Sequence, residues 1–212
     1  SHFPTPDWPF YTQEGADAAA HGNIALSFSG VSAVDGYMSD FGANNPAVGH
    51  RRWLLYPQTR RMGIGSVDSD DTFPAANAIW VHDPAPSPVR PAVRDLLVAW
   101  PPPGYVPYRL AFSRWSFSYP GANFAQAQVS MMSNGTPLGI RLEREAAGYG
   151  ENTLVWVPEG QNADRTLYPY PAPAADQTNI IRIEGVLVGG VARTFVYTNL
   201  LFDPAVTGDD TV

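Results

Sequence analysis

Few residues in this 212-residue chain carry strong chemistry, and their spacing limits what they can do. There is no cysteine, which excludes a disulfide, a zinc ribbon and a thiol nucleophile. The only histidines are His2, His21, His50 and His82. No two of them stand four residues apart, so no metal pair is written along one helix face. Any histidine site must be assembled by the fold. His50 lies in the most unusual segment, residues 44–65, NNPAVGHRRWLLYPQTRRMGIG. There it is followed by Arg51 and Arg52, then by the apolar block Trp53–Tyr56, then by a glycine-rich strand. Cationic neighbours favour a neutral imidazole, which suits a metal ligand or a base. The two arginines are expected to pair with Asp35 or Asp40 while Trp53 and Leu54 fill a core.

Other motifs have plainer readings. Asp68-Ser69-Asp70-Asp71 offers hard oxygen ligands but lacks the glycine and terminal glutamate of a calcium loop, so it reads as a solvated turn. Asn134-Gly135-Thr136 is formally a glycosylation sequon, and a hairpin turn accounts for it fully. Tyr168-Pro169-Tyr170-Pro171 reads as a rigid surface crossing. No Gly-x-Ser-x-Gly elbow and no glycine-rich phosphate loop is present.

The elements that must position these residues fall into two stretches. Gln13–Ala25 reads as helical, and Ser32–Phe41 places Val34, Tyr37, Met38 and Phe41 on one helix face, with Ser32 as cap. Val48–Leu55 fits a short helix, and Met62–Val67 and Ala78–His82 fit strands. Residues 84–94 are proline-rich, which excludes a regular helix and predicts a linker between a unit at 1–83 and another at 95–212. After it the period becomes two. Strands are expected at Asp95–Trp100, Arg109–Tyr119, Ala127–Met132, Leu138–Leu142, Thr153–Val157, Asn179–Val188 and Ala192–Phe202, with hairpin turns at Asn134-Gly135 and Gly189-Gly190. Short strands at this density predict an all-β, immunoglobulin-like sandwich.

The charge excludes whole classes of partner. The net charge is −7, all thirteen basic residues are arginine, and no basic run exceeds a pair. Such a chain is not expected to bind nucleic acid. No apolar run approaches the ~20 residues of a membrane span, so it is not expected to be an integral membrane protein.

The block Gly49-His50-Arg51-Arg52-Trp53-Leu54-Leu55, followed by Met62-Gly63-Ile64-Gly65, resembles the signature of the CAP superfamily (cysteine-rich secretory proteins, antigen 5, pathogenesis-related 1), in its bacterial branch. Asn23-Ile24-Ala25 is similar to another family stretch, and Ala33, Val34, Tyr37 and Asp40 to the family helix that carries an acidic residue. The resemblance covers roughly residues 1–83. It implies an α+β chain: a CAP-like α-β-α sandwich lacking its first helix, then the β-sandwich. It also implies a cleft in which His50 and His2 stand for the two family histidines and Asp40 for one acid. The position of the other acid is Gly22, preceded by His21.

Three functions follow as expectations. In the first, an exported recognition protein uses a cleft of His2, His21, Asp40, His50 and Arg51 to hold a small, lipid-like or protein ligand, and the sandwich attaches it to a cell-surface partner. In the second, His2 and His50 ligate Zn²⁺ and Asp40 orients or activates a water, giving a metal-assisted hydrolase in which His50 and Asp40 are catalytic. The third is a structural envelope component. The resemblance places the protein outside the cell or in its envelope. The missing first helix implies a larger precursor, whose upstream part is a potential partner, with Ser1 as a cleavage point or a boundary.

Overall fold

The computed structural model describes residues 1–143, 148–165 and 167–207. Contacts divide the chain into two units: residues 1–38 with 53–92, and residues 39–52 with 93–212. The segment carrying Asp40 and His50 therefore groups with the second unit, although in sequence it sits among the residues of the first. Among the described residues no helix is long and apolar enough to cross a membrane.

In the first unit, helix α1 (Gln13–Ala20) starts where the Thr12 hydroxyl accepts the Gly15 N–H at 3.0 Å. It stops five residues short of the expected end, and strand β1 (Gly22–Leu26) follows directly. Gly22 permits the tight junction, because an added Cβ would lie 2.7 Å from the Ala18 carbonyl oxygen and 2.8 Å from that of Ile79. Helix α2 (Gly30–Ser39) begins two residues before Ser32. Ser32 therefore sits inside the helix, with its hydroxyl donating to the Ser29 carbonyl rather than capping. Helix α3 (Gly49–Leu54) begins in the second unit and ends in the first, and the first unit continues with strand β2 (Gly63–Val67) and strand β3 (Ala76–Trp80). β3 is central between β1 and β2, both antiparallel to it. Ala33 and Tyr37 of α2 pack on Ile79 and Val81, and the Tyr37 hydroxyl lies 3.0 Å from the Asn77 carbonyl of the central strand. Val34, expected on the same face, is exposed.

The second unit is built of β4 (Val98–Trp100), β5 (Gly104–Pro107), β6 (Trp115–Ser118), β7 (Ala122–Asn123), β8 (Gln128–Ser133), β9 (Thr136–Leu138), β10 (Ile140–Leu142), β11 (Thr153–Pro158), β12 (Gln177–Val188) and β13 (Val191–Phe202). One sheet runs β10-β11-β6-β4. The other runs β5-β13-β12-β8-β9, with β7 also pairing to β12. They share a core in which Trp115, Phe117, Leu154 and Trp156 of one sheet meet Met131, Ile181, Ile183 and Tyr197 of the other. Burying each such large side chain contributes about 2 kcal/mol.

Both expected hairpin turns form. Asn134 and Gly135 have φ of 47° and 78°, Gly189 and Gly190 of 58° and 81°, the left-handed pair that a two-residue hairpin requires. Two expected strands come out differently. Residues 109–119 are not one strand: Tyr108–Leu110 is a single 3₁₀ turn, Phe112 has φ of 41°, and only Trp115–Ser118 pairs. Residues 138–142 divide at Gly139, so that β9 joins one sheet and β10 the other.

Candidate functional site

The site starts at the residue that ends α2. Asp40 has φ of 49°, a left-handed conformation that breaks the helix and that a short polar side chain tolerates better than a branched one. The chain then loops back through Val48, which is fully buried, into α3. This return brings residue 50 over residue 40. The Asp40 carboxylate accepts the backbone N–H of His50 at 2.9 Å and that of Arg51 at 3.5 Å, serving amides that a helix start leaves without partners. Its other oxygen accepts from His50 Nδ1 at 2.7 Å.

One carboxylate thus fixes both the backbone and the ring of His50. Asp40 is buried, whereas the His50 side chain is 28% exposed, so the ring bridges the interior and solvent. Burial lowers the His50 pKa, but the hydrogen bond and charge of Asp40 outweigh it, and the net shift is upward. This reverses the expectation from sequence. Arg51 and Arg52 adjoin His50 in the chain, yet the directly bonded carboxylate decides its protonation. Donation from Nδ1 also sets the neutral tautomer, leaving Nε2 as the basic nitrogen.

Arg51, expected to pair with an aspartate, extends beneath the dyad. Its guanidinium is fully buried and donates to the carbonyls of Arg114 (2.7 Å) and Ser39 (3.2 Å) and to the Ser116 hydroxyl (3.1 Å). Burial lowers its pKa, Asp40 opposes this and Arg114 adds to it. The group stays charged, because arginine does not deprotonate in proteins. Arg114 holds the same corner from the other side. It donates to the carbonyls of Asp40 (2.8 Å) and Ala163 (3.2 Å) and pairs with Asp164 at 3.0 Å. Arg52 donates to the Glu151 carbonyl at 2.9 Å and lies over the Tyr149 ring, 5.5 Å from its centroid. The same ring lines Gly49, where an added Cβ would come within 2.8 Å of it.

Residues 1–82 match the family model of CAP, the cysteine-rich secretory protein family. No curated protein matches the chain. The CAP match contains the Asp40–His50 pair, and its residues supply all of the first unit up to His82 together with residues 39–52 of the second.

Within the CAP segment the other candidates have separate settings. His2 Nδ1 lies 2.6 Å from the Ala19 carbonyl and His21 Nδ1 2.8 Å from that of Asp17, so both rings sit at the last turn of α1. The structure brings Asp40, His50 and Arg51 together in the second unit, while His2 and His21 belong to the first. Among the described residues no group of three or more histidines and carboxylates is arranged to hold a metal. Asp70 serves a local turn, accepting the amides of Thr72 and Phe73, while Asp68 accepts the hydroxyl of Ser29, 39 residues away. Arg114, Ser116 and Tyr149 also border this site, and no motif singles them out. They come from the β-rich stretch, and neither spacing nor composition ties them to His50.

Proposed function

We propose that this is an exported recognition protein of the CAP superfamily, of the bacterial type, in which His50 supplies the polar contact to a small, lipid-like or protein ligand. The immunoglobulin-like β-rich unit would attach it to a surface partner. The single observation that carries this reading is the Asp40–His50 hydrogen bond at 2.7 Å, beneath a ring that still reaches solvent. A ring so held, with its pKa raised, is a fixed donor for a ligand carboxylate or carbonyl. The sequence offers no cysteine and no serine elbow to act as a nucleophile.

The test is equilibrium binding of palmitate to the full chain and to His50→Gln, at pH 6 and pH 8. A charge-assisted bond predicts at least about tenfold weaker binding for the variant, and tighter binding at the lower pH for the wild type alone. Equal affinities would count against His50 as the contact. Hydrolysis of an ester or peptide that vanishes in His50→Gln would remove the recognition reading altogether.

A second reading follows from the tautomer. A carboxylate that accepts from Nδ1 is the arrangement that orients a zinc-ligating histidine, leaving Nε2 for the metal. His50 would then bind Zn²⁺, Asp40 would position it, and a metal-bound water would be the nucleophile. Stoichiometric zinc lost in His50→Gln, together with hydrolysis that depends on it, would favour this reading.

A further inference from the structure

His21 and His82 form a second imidazole pair, within the first unit and apart from Asp40 and His50. Their ring centroids are 5.8 Å apart with planes at 76°. An indole lies beside each ring: Trp80 stacks on His21 at 5.2 Å and 10°, and Trp53 lies 4.3 Å from His82 with the planes at 58°. The Trp80 indole is itself pinned, donating to the His82 carbonyl at 2.7 Å, and the Tyr56 ring meets Trp53 edge-on.

The separation fits ligation of one metal ion. A bond of about 2.0 Å from metal to nitrogen puts each ring centroid roughly 3.2 Å from the metal. Two such rings then stand roughly 5.2 Å apart at a tetrahedral angle and roughly 6.4 Å apart when opposed, and the observed spacing lies between these limits. The tautomer is set as well. His21 Nδ1 is engaged by the Asp17 carbonyl at the end of α1, which leaves Nε2 as the electron-pair donor, and a backbone carbonyl in this role is a usual partner of a metal-bound histidine.

We propose that His21 and His82 form a two-imidazole site for zinc or another late first-row divalent cation, enclosed by Trp80 and Trp53. No third histidine or carboxylate joins them among the described residues, so solvent or a ligand group completes the coordination. Imidazole ligation selects this metal class over calcium and magnesium, which take oxygen. The site is independent of the dyad at His50, and either can fail alone.

The experiment is calorimetric titration of the full chain with Zn²⁺, alongside His21→Gln, His82→Gln and His2→Gln. The expected result is uptake weakened at least about tenfold in each of the first two variants and unchanged in the third. The indole N–H resonances of Trp53 and Trp80 should shift on metal addition to the wild type and stay fixed in His21→Gln. His21 is exposed, so its substitution leaves the core intact and guards against a folding artefact in His82→Gln. No uptake by the wild type, uptake indifferent to His21 and His82, or uptake that depends on His2 would each overturn the proposal.

Discussion

The Asp40 carboxylate binds His50 twice, accepting its ring Nδ1 at 2.7 Å and its backbone N–H at 2.9 Å. The ring contact sets charge and tautomer, and the backbone contact anchors the start of α3. Asp40→Asn keeps the size of the side chain and removes the charge. It also removes the negative charge that offsets the desolvation of the fully buried Arg51. We expect a loss of about 3 kcal/mol in stability, in the range for breaking a buried ion pair, read by chemical denaturation. The His50 pKa should fall in the same variant, read by NMR titration of its ring. An unchanged His50 titration would show that Asp40 does not control the ring.

The raised His50 pKa also makes stability depend on pH. The folded ring holds its proton more tightly than the unfolded one, whose pKa is about 6.5. The resulting stabilisation is fully present below that value and is lost as pH rises through the folded pKa. Wild-type stability should therefore decline across that window relative to His50→Gln, in which this dependence is absent. Urea denaturation of both proteins at several pH values checks the slope. A wild-type curve parallel to that of the variant would contradict the upward shift.

Gly49 and Tyr149 make a steric prediction. A Cβ at Gly49 would stand 2.8 Å from the Tyr149 ring, which also lies against Arg52. Gly49→Ala should destabilise the protein by about 1–3 kcal/mol, the usual cost of overpacking. Removing the obstacle with Tyr149→Ala should relieve part of that cost in the double variant. A double-mutant cycle by thermal denaturation measures the coupling, and strictly additive effects would place the strain elsewhere.

Which parts of this molecule can be read in the sequence follows from how local their causes are. Asn134-Gly135 and Gly189-Gly190 announce their hairpins because the required φ is a property of those residues alone. The short helix at His50 is legible for the same reason, as an apolar and basic block ahead of a proline. Residues 109–119 mislead because alternating polarity also suits a 3₁₀ turn followed by a buried strand, and the backbone of Phe112 leaves the extended region. The support of the dyad is not legible at all: the bond from Arg114 to the Asp40 carbonyl joins residues 74 apart. The sign of the His50 shift is illegible for the same reason: its chain neighbours are Arg51 and Arg52, while the directly bonded Asp40 decides.

Gly22 separates the family likeness from family chemistry. It occupies the position where the resemblance calls for an acid, so restoring that acid as Gly22→Glu is the obvious substitution. The backbone does not accommodate it. Any Cβ there meets the carbonyl oxygens of Ala18 and Ile79 at 2.7 and 2.8 Å, and neither is the end of a flexible side chain. One atom belongs to α1 and the other to β3, so relief would require Gly22 to move away from both. Gly22→Ala alone should therefore cost about 1–3 kcal/mol, and Gly22→Glu at least as much. Chemical denaturation reads both. A Gly22→Glu variant as stable as the wild type would show that the α1–β1 junction can open, and that the glycine there is not a steric requirement.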